Sequence, residues 1–173
     1  MLRATRVATL AGGMARQAAL AAALALVSLA FVAGAMGQST AGVRVTIFGD
    51  SAATAMLYDP DAKRTLSRGI DLNLELAACR RLGDLSCPYD GVRPPNVIDR
   101  ATALGTALGP VVVVVVGYND YEANYAENID DAMAVFRKAG VQRVLWATLR
   151  ASRQSYADMA TIEKNLGVST SGN

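Results

Sequence analysis

Apolar and polar positions follow two rhythms along this chain. Val43 to Phe48 is rich in Val, Ile and Phe and predicts a strand. From Ala52 to Arg68 the spacing turns helical, with Leu57, Ala62 and Leu66 available for one face and Gly69 as a stop. Ile70 to Leu76 (I-D-L-N-L-E-L) alternates, which predicts a strand that is polar on one side and near an edge. Cys79 to Pro95 carries Pro88, Gly91, Pro94 and Pro95 and reads as a loop. Asn96 to Leu108 is predicted helical. Val111 to Val116 is an unbroken valine run, suited to a strand covered on both faces. Asn128 to Ala139 reads as a helix ending at Gly140, Val141 to Leu149 as a strand, and Tyr156 to Leu166 as a weaker helix. The closing G-V-S-T-S-G-N, residues 167–173, is expected to be a disordered tail.

Repeated strand–helix units predict an α/β fold. The expected architecture is a three-layer α/β/α sandwich around a parallel, flavodoxin-like sheet of about four strands. In such a sheet ligands gather at the carboxyl ends of the strands. Two short polar segments fall at such ends, Gly49-Asp50-Ser51 and Gly117-Tyr118-Asn119-Asp120. Adjacent parallel strands would bring both to one rim.

The first 40 residues have a different character. Residues 1–17 carry Arg3, Arg6 and Arg16 and no acid, Ala18 to Gly37 is apolar apart from Ser28, and Ala33-Gly34-Ala35 has the small residues of a cleavage site. This pattern is that of a secretory signal peptide over residues 1–35, and the expected localisation is secreted or extracytoplasmic. The apolar run is also long enough to serve as an uncleaved membrane anchor through residues 18–37. Ser39 to Val43 reads as a linker to a domain spanning 43–166. The formal charge of +2 comes from 17 basic and 15 acidic side chains. Three of the basic ones leave with residues 1–35, which turns the balance to −1. No basic cluster remains to track phosphates, so nucleic acid is not an expected partner.

The chain has two cysteines and no histidine. Outside the cytoplasm, Cys79 and Cys87 at this spacing read as a disulfide closing a small loop, the alternative being two separate thiols. Two sulfurs without histidine do not make a zinc site, and no metal is expected.

Ser51 after the turn has two candidate roles. It can cap the following helix, or present a nucleophilic hydroxyl beside an N–H able to face a developing oxyanion. Asn119 carries an amide that can donate to the same oxyanion, or is simply a turn residue with Asp120. The G-D-S and G-Y-N-D blocks, in this order and at these strand ends, resemble the SGNH hydrolases, also called the GDSL esterases and lipases, over roughly Val43 to Leu166. The resemblance implies Ser51 as nucleophile and Asn119 as oxyanion donor, with Gly49, Asp50, Gly117 and Asp120 in support. It implies a small-molecule, lipid or glycan ester as substrate, and no cofactor.

Two departures stand out. No residue maps cleanly onto the family's second-block glycine; Arg80 and Gly83 lie in that region. The family's D-x-x-H block has no counterpart, so the chain reads as a C-terminally incomplete, poorly active member. Asp158, Glu163 and Lys164 are no better than solvated helix residues as substitute bases, and Trp146 is expected to be more exposed than in a complete domain. A non-catalytic cell-surface binding module on the same rim is the alternative. A nucleotide- or flavin-binding domain ranks last, because G-D-S-A-A-T lacks the glycines of a phosphate cradle.

Overall fold

The computed structural model describes residues 42–170. The leader expected at 1–35, the anchor reading of 18–37 and the end of the tail lie outside these residues. No helix among the described residues is long and apolar enough to cross a membrane.

Five strands form one parallel sheet: β1 (Val43–Gly49), β2 (Ile70–Leu76), β3 (Val111–Val115), β4 (Arg143–Ala147) and β5 (Ser169–Thr170), in the spatial order β2-β1-β3-β4-β5. This is the flavodoxin-like order. The four expected strands carry the sheet, β2 lies at its edge, and β5 adds two residues beside β4 within the stretch read as tail. Between the strands run α1 (Ala55–Tyr58), α2 (Pro60–Leu66), α3 (Val97–Leu104), α4 (Glu122–Lys138) and α5 (Gln154–Asn165). A 3-10 turn over Gly105–Leu108 follows α3.

Register explains the core. Phe48 pairs with Val114, and Val114 with Trp146, so these three share a face of the sheet with Thr46 and Val112. Helices α3, α4 and α5 cover that face through Val97 and Ala101, then Tyr125, Ile129, Ala132 and Phe136, then Met159. Phe48 and Phe136 stack with ring centroids 6.1 Å apart. Right-handed crossovers place α1 and α2 on the other face. Neither helix buries a residue, and Leu145 on that face is 46 % exposed.

Three expectations change. The helix predicted over Ala52–Arg68 is two short pieces, because Pro60 has no N–H to continue α1 and Asp59 instead caps α2, accepting from the N–H groups of Asp61 and Ala62. Leu57 and Leu66 therefore face solvent, and Ala62 is only half-buried. Helix α4 starts at Glu122, six residues before the predicted Asn128, since Tyr125 already anchors its first turn in the core. Trp146 is fully buried, not exposed, because α5 closes over it.

Replacing Phe136 with Ala removes the ring that stacks on Phe48. A loss of about 3–5 kcal/mol is expected, read as a lower urea midpoint.

Candidate active site

The carboxyl ends of β1 to β4 lead into four loops, and their hydrogen bonds tie them together. At the end of β1 close side-chain packing requires Gly49, where a methyl group would lie 2.5 Å from Ala53 Cβ and 2.7 Å from Leu76 Cδ2. Asp50 follows and is fully buried. Its Oδ1 accepts the N–H of Ala52 at 2.9 Å and its Oδ2 the N–H of Tyr118 at 3.3 Å. One carboxylate thus holds the loop after β1 against the loop after β3. Burial raises its pKa, and the N–H groups of Ala52, Tyr118 and Gly117 oppose that shift by favouring the charged form.

Ser51 is exposed, and its side chain caps no helix. The capping role is excluded by the chain path. A turn over residues 51–54 intervenes, Thr54 precedes α1, and the Thr54 hydroxyl donates to the Ser51 carbonyl at 2.8 Å. Ser51 therefore sits on this turn rather than at a helix N-terminus. Its hydroxyl makes no protein hydrogen bond among the described residues.

The loop after β3 turns at Gly117, whose φ of 139° favours glycine; a methyl group there would lie 2.9 Å from Leu149 and from the Tyr125 hydroxyl. Asn119 Nδ2 donates to the Arg80 carbonyl at 3.4 Å, which leaves its second N–H for another acceptor. Asp120 Oδ1 accepts the N–H of Leu82 at 2.8 Å, while its Oδ2 is buried without a partner. Burial pushes the Asp120 pKa up to about 7; the Leu82 N–H and Arg81 pull against this, and Asp84 and Asp50 add to it. Asn119 and Asp120 therefore act across the rim, beyond any turn of their own. The loop after β4 joins through Tyr118: its hydroxyl accepts the N–H of Arg150 at 3.0 Å, and its carbonyl accepts the Tyr156 hydroxyl at 3.1 Å.

In the loop after β2, Cys79 and Cys87 form the disulfide read from their spacing, while the backbone around it holds what the sequence did not reveal. Cys79 has a φ of 64°, a left-handed conformation unusual for a residue with a side chain, in a turn closed by the Arg80 N–H on the Ala77 carbonyl. The glycine-favouring position after β2 is thus Cys79. At Arg80 the N–H is already taken, and Gly83 packs on α4, where a methyl group would lie 2.3 Å from Asn128 Oδ1. Arg80 itself is buried, its Nη1 donating to the Glu75 carbonyl at 2.6 Å. Beside it Arg100 grips the Glu75 carboxylate through two hydrogen bonds of 2.8 Å and holds its pKa below the usual range.

Of the acids weighed as substitute bases, Glu163 is fully buried rather than solvated. It accepts the Tyr125 hydroxyl at 2.8 Å, and burial raises its pKa. Asp158 is half-buried and accepts from Gln154 Nε2 at 2.8 Å; Lys164 is exposed. None is hydrogen-bonded to Ser51. No group of three or more Cys, Asp or Glu with metal-site geometry occurs among the described residues. A cavity of about 230 Å³ between the C-terminal halves of α3 and α4 lies toward the amino ends of the strands, away from this rim.

No protein-family model matches the chain, and no curated protein does. Among solved structures it is similar to the C-terminal catalytic domain of peptidoglycan O-acetyltransferase A (OatA) from Streptococcus pneumoniae, with a methylsulfonyl adduct. The identity is 15 % and the TM-score 0.46, over 73 % of this chain and 63 % of that one. A likeness of this size assigns no activity.

Two outcomes follow from the rim. Folded Asp120 holds its proton up to about pH 7, whereas an ordinary aspartate releases it near 3.8. Its contribution to stability is therefore full below about pH 4 and lost as pH rises through about 7, with Asp50 and Glu163 shifted in the same direction. Asp120→Asn, which keeps the acceptor for Leu82, is expected to flatten that slope in urea titrations run from pH 4 to 8. Reducing Cys79–Cys87 frees the loop, at an expected cost of about 2.5 kcal/mol, measured as the difference in urea stability with and without reductant.

Proposed function

We propose that this rim is an acyl-ester site of the SGNH type, with Ser51 as nucleophile. The observation that supports the reading is the Asp50 carboxylate, which accepts the N–H of Ala52, next to Ser51, and the N–H of Tyr118, next to Asn119, and so ties the two loops together. Ser51 Oγ attacks the ester carbonyl, and the alcohol leaves from the tetrahedral intermediate. Asn119 Nδ2–H and the Ser51 N–H, neither fully committed among the described residues, donate to the oxyanion. The Cys79 N–H, at the left-handed turn after β2, is the third donor in this scheme.

The 173 residues include no histidine, and among the described residues no side chain is hydrogen-bonded to Ser51 to take its proton. Water or buffer base then does so, and turnover is slow. Losing a triad member leaves an acceleration of about 10³–10⁴ over water. The disulfide and the leader sequence support export as part of the same proposal. A binding module that holds an acylated ligand on the same rim is the second reading, favoured by the missing base.

Incubation with p-nitrophenyl acetate, followed by peptide mass mapping, separates the two. Acetyl on the peptide carrying Ser51, accelerated by added imidazole and abolished in Ser51→Ala, is the expected result. Equal background labelling of both proteins would leave only the binding module. Asn119→Ala is expected to slow acetylation by roughly 10²–10³-fold.

A further inference from the structure

Next to the oxyanion donors lies a cleft of about 450 Å³ that the ester chemistry does not use. Its walls are Arg81, Asp84, Leu85, Cys87 and Pro88 on one side, Arg93 further along the same loop, and Tyr121. The cleft adjoins the reaction centre through the chain itself. Arg81 follows Arg80, whose carbonyl receives Asn119, and Tyr121 is two residues past Asn119. A substrate group extending beyond the ester on this side enters the cleft.

The cleft brings two guanidinium groups to neighbouring carbonyls. Arg81 Nη1 donates to the Leu85 carbonyl at 3.2 Å, and Arg93 Nη1 donates to the Ser86 carbonyl. Arg81 also donates to the Tyr121 hydroxyl at 2.9 Å and stacks 4.0 Å from that ring's centroid. Neither arginine has a carboxylate partner among the described residues, unlike Arg44, Arg64 and Arg100. Each guanidinium has five N–H donors. Arg93 uses one and Arg81 two, so donors remain on both. Asp84 is the one acid of the cleft, and its oxygens accept from the Asn124 and Asn128 amides at 2.7 and 3.2 Å, not from either arginine. Among the lining residues two cations stand against one amide-bound anion; Asp120, within electrostatic reach of Arg81, is not part of the lining and holds its proton up to about pH 7. Backbone carbonyls alone do not balance a guanidinium; an oxyanion does.

We infer that the Arg81–Arg93–Tyr121 cleft is the subsite for an anionic group, carboxylate or phosphate, carried by the ester substrate alongside its acyl bond. The inference rests on Ser51 as the acyl acceptor. It gives the substrate a charge class: the ester is borne by an acidic molecule, and a neutral lipid or neutral glycan lacks the group the cleft is built to hold. Arg81, fixed over Tyr121, orients the anion. Arg93, exposed and held by a single hydrogen bond, adds the second contact.

Three acetyl esters of matched leaving group test this on the full chain: 4-acetoxyphenylacetate, 4-acetoxyphenyl phosphate and neutral 4-acetoxyphenylacetamide. The readout is the rate of acetyl transfer to Ser51. At least one anionic ester is expected to outpace the amide by about tenfold, the worth of one charge-assisted contact, and the better of the two identifies the anion. Arg93→Gln is expected to bring that ratio toward one, Arg93→Lys to keep most of it, and Arg143→Gln, which removes a cation from the other end of the sheet, to leave it unchanged. Equal rates for charged and neutral esters in the parent chain, or a preference that survives Arg93→Gln combined with Arg81→Gln, would overturn the subsite. An NMR titration with 4-hydroxyphenylacetate and 4-hydroxyphenyl phosphate, which carry no ester, reads the cleft independently of Ser51. Shifts confined to residues 81–93 and 121, lost in Arg93→Gln, support the subsite even where Ser51 takes no acetyl; no shift with either probe overturns it.

Discussion

One buried carboxylate organises the rim at the carboxyl ends of the strands. Asp50 has no counter-cation hydrogen-bonded to it among the described residues; its partners are the N–H of Ala52 in its own loop and the N–H of Tyr118, 68 residues further along the chain. Taking a carboxylate out of water is costly unless its lone pairs are satisfied, so the fold is committed to keeping those loops in register. The shape of the rim follows from this. With Asp50 in place, the turn bearing Ser51 and the loop bearing Asn119 cannot drift apart without stranding a charge in the interior.

The same device recurs further along the rim. Asp120 receives Leu82, Asn119 reaches Arg80, and Arg100 and Arg80 converge on Glu75 at the edge strand. Side chains thus bind the backbone of the next loop in turn, and the disulfide closes the one loop whose length and proline content would otherwise leave it loosest. The left-handed Cys79 fits this picture. Its conformation is disfavoured for a residue with a Cβ by roughly 1–2 kcal/mol, and the cross-link to Cys87 together with the hydrogen-bonded turn around it holds it there.

Much of the architecture was legible in the sequence because strand patterns in a parallel sheet are blunt. A run of valines has few alternatives, and the alternation of Ile70 to Leu76 matches the edge position of β2. The helix after Ser51 was less legible, since Leu57, Ala62 and Leu66 keep helical spacing across a break that Asp59 and Pro60 impose locally. Glu163 was misread for a different reason. A carboxylate on a weakly amphipathic helix looks solvated until the tyrosine that meets it, 38 residues away, is placed in space. At the site, the two polar blocks announced themselves by motif and strand-end position. The role of Cys79 did not, because nothing in a cysteine's identity signals a backbone turn that glycine normally takes.

Strand β1 is flanked by β2 on one side and β3 on the other, and both pairings join segments that are distant along the chain. Neither can form until its crossover has closed, and such non-local parallel pairing is intrinsically slow. The turn that carries Ser51 at the end of β1 is therefore fixed by contacts with segments far from it along the chain.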